Sequence, residues 1–204
     1  TALARGDTIQ AQRSNQHYAQ LWSLLPSFCE AANDVPTAFP TLAPVLEQIV
    51  REQSSAELVP AVCSALQTLV RCAHAQSSRD AIASFAPKLL RALLRALDRD
   101  VTAGTADSRR VVSETIAVLA PATPPNVRAT LFKQLMQKML TVSQPAPPSP
   151  DAAAPDTHAQ AVVLCELALA LLPSLDIASV TLLYRVVQPM VKMDESAALQ
   201  KRAY

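Results

Sequence analysis

With 204 residues, 50% of them hydrophobic and 17% charged, the chain can bury a core and is too apolar to be disordered throughout. Two glycines against 16 prolines exclude Gly-rich phosphate loops and argue against an all-β fold, whose hairpins need glycine. Aromatics are 4% of residues and the formal net charge is +1, so the core is one of Leu, Val, Ile and Ala, and Ala and Leu favour helix.

The first predicted helix runs from Ser14 to Leu25, with Tyr18, Leu21, Trp22 and Leu25 on one face and Pro26 as its stop. Asp34 and Pro36 offer the next start, before an apolar stripe of Phe39, Leu42, Val45, Leu46, Ile49 and Val50. Pro40 and Pro44 imply either a start near Pro40 or kinked first turns. The second pair reads 57–75 and 80–98, with Val59, Val62, Cys63, Leu66, Leu69 and Val70 inward in its first helix. Ile82, Phe85, Leu89, Leu90, Leu93, Leu94 and Leu97 face inward in its second. The third pair is 108–120 and 125–142, where Ser108 and Pro125 suit helix beginnings. Residues 143–156, rich in Pro and Ala, read as an exposed, flexible insertion. A fourth pair follows, 157–172 and 177–193, and a further helix begins at Glu195.

The stops themselves repeat. Leu24-Leu25-Pro26-Ser27 returns as Leu171-Leu172-Pro173-Ser174, with Val118-Leu119-Ala120-Pro121 and the polar run Gln76-Ser77-Ser78-Arg79 between them. Their spacing of roughly 45–52 residues falls within or just above the range of helical solenoid repeats. The predicted fold is therefore all-α: a continuous α-solenoid of about four antiparallel helix pairs of HEAT or armadillo type, with no internal domain boundary. No apolar run reaches the roughly 20 residues needed to span a bilayer. The start at Thr1 and the stop at Tyr204, inside a helical stretch, read as a segment of a longer protein.

Chemistry is scarce. Cys29, Cys63, Cys72 and Cys165 lie among apolar neighbours with no zinc or redox spacing, and read as packed free thiols. Cys72-Ala73-His74 is the nearest approach to a metal pair, but side chains two apart on a helix point about 200° apart. His17, His74 and His158 stand on separate pairs. No nucleophile motif is present, so the sequence predicts no catalytic residue, metal, cofactor or small-molecule substrate. Lys88, Arg91, Arg95 and Arg99 line one side of a helix at 3-4-4 spacing, and Arg109 and Arg110 open the next. This row is either a solvated outer face or a patch that tracks phosphates without reading bases. Asp98, Asp100 and Asp107 partly offset it, and no aromatic residue interleaves it for base stacking.

Leu21-Trp22-Ser23-Leu24-Leu25-Pro26-Ser27-Phe28-Cys29, followed by Asp34, Pro36, Phe39, Leu42-Ala43 and Leu46, resembles the signature of the ribosomal RNA-processing factor twelve family. The ending Leu199-Gln200-Lys201-Arg202-Ala203-Tyr204 resembles a second segment of that family, in the expected order. Pro40, Pro44 and the Pro-rich insertion depart from its pattern. The resemblance implies a non-enzymatic HEAT scaffold of the nucleolus and nucleus. Such a scaffold would bind pre-ribosomal RNA and assembly factors of the small-subunit precursor and assist its maturation and export. It implies no catalytic residue; Trp22, Pro26, Phe28 and Cys29 would serve packing and the inter-helix turn. The alternative is an adaptor or transport-receptor-like solenoid without RNA contact, which the near-neutral charge fits at least as well.

Overall fold

The computed structural model describes residues 17, 20–30, 33–52, 58–99, 106–143 and 157–191. After the helical residues 20–23, eight α-helices follow among them: α1 (Leu25–Cys29), α2 (Val35–Glu52), α3 (Leu58–Cys72), α4 (Gln76–Arg99), α5 (Ala106–Leu119), α6 (Pro125–Ser143), α7 (Thr157–Leu171) and α8 (Ile177–Val191). A 3₁₀ turn, Leu172–Ser174, follows α7. No strand occurs among the described residues. The insertion expected at 143–156 lies outside them except for Ser143, which ends α6, and the helix expected from Glu195 lies outside them.

The helices form two layers. In one, α1 packs on α3, α3 on α5 and α5 on α7; in the other, α2 packs on α4 and α6 on α8. Each helix has an apolar face for the seam between layers. Leu46, Leu66, Leu89, Leu93, Leu97, Ile116, Phe132 and Leu164 are all almost wholly removed from water. Each such side chain contributes about 1.5–3 kcal/mol. Long branched aliphatics supply this seam because aromatics are so few.

The prolines do not act as simple stops. Pro26 lies within α1 instead of ending the helix before it; the interruption is two residues before it, at Leu24. Proline fits there because the first turn of a helix has no use for its missing N–H. Helix α2 begins at Val35, so the start near Pro40 does not occur, and both Pro40 and Pro44 sit inside it. They are four residues apart and both exposed. The carbonyls they leave unbonded therefore face water, while Phe39, Ala43, Leu46 and Val50 fill the opposite, buried face. The run expected as a polar stop, Gln76-Ser77-Ser78-Arg79, is instead the first turn of α4. The two Leu-Leu-Pro-Ser copies also differ, one opening an α-turn and the other forming the 3₁₀ turn.

Candidate partner-binding groove

Helix α4 presents Lys88, Arg91 and Arg95 on its outer face, all exposed. Lys88 Nζ lies 5.8 Å from the centre of the Phe85 ring. Phe85 in turn meets Phe39 of α2 edge-on, at 6.0 Å and 87°. Lys88 is thus held toward α2, while Arg91 and Arg95 lean the other way, toward α6. Neither guanidinium has a hydrogen-bond or ion-pair partner among the described residues.

On that side the layer opens. Whereas α4 packs closely on α2, it scarcely touches α6. The gap is a groove of about 580 Å³ whose floor is supplied from the other layer, by Leu164 and Leu167 of α7. Leu94 of α4 and Val127, Leu131 and Leu135 of α6 form its walls. Its rim is polar, with Arg91 and Arg95 on one bank and Asn126, Thr130, Gln134 and Lys138 on the other. Among the described residues no acidic side chain lines it.

The six cations predicted as a patch do not form one surface. Lys88, Arg91 and Arg95 stand together, and the Arg99 side chain lies outside the described residues. Arg109 and Arg110 belong to α5, in the other layer. Arg110 Nε is 3.7 Å from Glu114 Oε1, a solvent-exposed i,i+4 pair worth only a few tenths of a kcal/mol. The α6 bank escaped sequence reading, although Asn126, Thr130, Gln134 and Lys138 recur every four residues beside the stripe Val127, Leu131 and Leu135. That signal marks one helix with two adjacent faces. It does not reveal that a neighbouring helix stands away from it.

Of the signature residues, Cys29 is buried and Trp22 is half-buried against the core. Phe28, expected to pack, is 73% exposed, because the short α1 turns it outward; Leu21 is exposed as well. Val45, expected inward, is also exposed, Ala43 taking the inner position beside Leu46. The Tyr18 side chain lies outside the described residues. All four cysteines are free thiols. Burial pushes the Cys63 thiol up to about 11 against an opposing hydrogen bond from Thr115. Burial, reinforced by Cys72, likewise raises Cys29 to about 11. Such thiols stay protonated at neutral pH and act as small apolar side chains. No group of three or more His, Cys, Asp or Glu suited to a metal occurs among the described residues. No described helix is long and apolar enough to cross a membrane.

Helix pairs stacked in two layers, with an extended surface and a groove between neighbouring outer helices, define a HEAT-type α-solenoid. Residues 1–119 match the family described as Ribosomal RNA-processing protein 12, HEAT repeats. The chain belongs to that family. It is 30% identical over 201 residues to the RRP12-like protein of Homo sapiens and 28% identical over 202 residues to that of Gallus gallus. Each match covers 98% of this chain and 14% of the relative's length.

Proposed function

We propose that this chain is a non-enzymatic scaffold segment that works in ribosome biogenesis, in the nucleolus and nucleus. It binds pre-ribosomal RNA and assembly factors of the small-subunit precursor. Family membership supports the process, and the unpaired outer face of α4 supports the contact. Three cations within two helical turns, with no ion-pair partner for Arg91 or Arg95 among the described residues, form a short row that can follow a phosphate backbone. Such contacts position a nucleic acid without reading its sequence. Arg109 and Arg110, at the start of α5, would add positive charge from the other layer.

The test is salt-titrated binding of a single-stranded RNA to the wild-type chain and to Lys88→Glu/Arg91→Glu/Arg95→Glu. Each phosphate contact on a single strand adds about 0.7 to the slope of log affinity against log salt. Losing three contacts should flatten that slope by about 2, with helicity by circular dichroism unchanged. An unaltered slope would remove the α4 row from the account, and absence of RNA binding even at low salt would favour a protein-only adaptor.

A further inference from the structure

We infer that the α4 row takes the backbone of double-stranded RNA in preference to a single strand. The inference rests on the RNA contact proposed above, and it adds which form of RNA the outer face of α4 accepts.

Proteins hold a single strand through two sets of contacts, cations on its phosphates and aromatic rings against its bases. Only the first set is present beside α4. Lys88, Arg91 and Arg95 are exposed, and neither arginine has an ion-pair partner among the described residues. The ring beside them, Phe85, is half-buried, meets Phe39 edge-on and has Lys88 Nζ 5.8 Å from its centre. Among the described residues the exposed aromatic side chains are Phe28 and Tyr184, which stand on α1 and α8. The parting between α4 and α6 offers bases nothing either. No aromatic residue lines it, and Leu131, Leu135, Leu164 and Leu167 are at most 8% exposed and already belong to the core. Bases laid beside the row would find no surface to cover them.

A duplex makes no such demand, because its bases stack on one another and its phosphates and sugars face outward. It also carries the denser charge and holds its phosphates in a fixed array, whereas a single strand must be ordered as it binds. The row is equally fixed. It stands on a 24-residue helix whose opposite face buries Leu89, Leu90, Leu93 and Leu97. From Lys88 to Arg95 it spans about 10 Å at 1.5 Å per residue. Exposed Ser84 and Asp80 precede it on the same face, so the positive stretch is short and meets about three phosphates, one for each cation. A footprint of that kind follows the shape of a duplex and reads no sequence.

The experiment measures fluorescence anisotropy of a labelled RNA of about 16 nucleotides, without self-complementarity, binding to the full chain alone and after annealing to its complement. Annealing should tighten binding at least about fivefold at about 0.1 M salt, and should steepen the salt dependence from about 0.7 to about 0.9 per phosphate contact. Lys88→Glu/Arg91→Glu/Arg95→Glu should abolish the preference with helicity unchanged. Lys88→Arg/Arg91→Lys/Arg95→Lys, which keeps the three charges, should retain it. A single strand bound as tightly as the duplex, through contacts that the Glu variant removes, overturns the duplex assignment and leaves the RNA contact standing. A duplex preference that survives the Glu variant also overturns it, because the duplex then binds elsewhere on the chain. Binding of neither form removes the RNA contact itself and this inference with it.

Discussion

Gln67 and Thr115 meet inside an otherwise aliphatic seam between α3 and α5. Gln67 Nε2 donates to Thr115 Oγ1 at 2.9 Å and more weakly to the Val111 carbonyl at 3.4 Å. The Thr115 hydroxyl donates to the same carbonyl at 2.7 Å, while Gln67 Oε1 accepts from Arg71 Nη2 at 3.4 Å. Both residues are buried, so their polar atoms depend on each other and not on water. Thr115→Val keeps the shape and removes the acceptor. It should cost about 1–3 kcal/mol in chemical denaturation, because the amide of Gln67 is left poorly satisfied. Adding Gln67→Leu should recover much of that loss, since removing both partners abolishes the unmet demand. A double variant no more stable than Thr115→Val would show that the pair is not the source of the cost.

Among the elements, α2 shows how tertiary packing overrides local preference. A helix-interior proline costs about 3 kcal/mol relative to alanine, and α2 carries two such residues at Pro40 and Pro44. The helix persists because its other face seals Phe39, Leu46 and Val50 against α4. Pro40→Ala should therefore stabilise the chain, by up to about 3 kcal/mol, as a rise in the unfolding midpoint with helicity retained or increased. A fall would mean that the ring makes a contact its exposure does not suggest. Element identity was legible because each apolar stripe had helical spacing; α6 and α7 begin as the sequence predicted, at Pro125 and Thr157. What local pattern misjudged were the breaks. Pro26 and the Gln76–Arg79 run both look like terminators, yet both occupy first turns, where a missing N–H or a short polar side chain is tolerated. The groove was only half legible. Arg91 and Arg95 stood out by charge, but its α6 bank and α7 floor depend on a separation between helices that no single helix encodes.

At the scale of the whole molecule, the stack is stabilised from neighbour to neighbour. Both of its described ends expose large apolar side chains. Leu24 and Phe28 stand out at one end and Val180, Tyr184 and Ile177 at the other, Ile177 being 86% exposed. These are the faces on which a solenoid stacks further elements. Between the ends, one layer is continuous from α1 to α7, while the other is parted once, at α4–α6. That asymmetry gives the scaffold a specific feature on an otherwise regular surface. It also places the α4 cations Arg91 and Arg95 next to the parting.

The central claim is that the outer face of α4 holds this protein on a ribosomal precursor. It is tested most directly by sedimenting nuclear extracts from cells whose only copy of the full-length protein carries Lys88→Glu/Arg91→Glu/Arg95→Glu. The account predicts that the variant is expressed at the wild-type level but shifts from the small-subunit precursor fractions to the top of the gradient, increasingly so as salt is raised. Co-sedimentation indistinguishable from wild type at every salt concentration would contradict it.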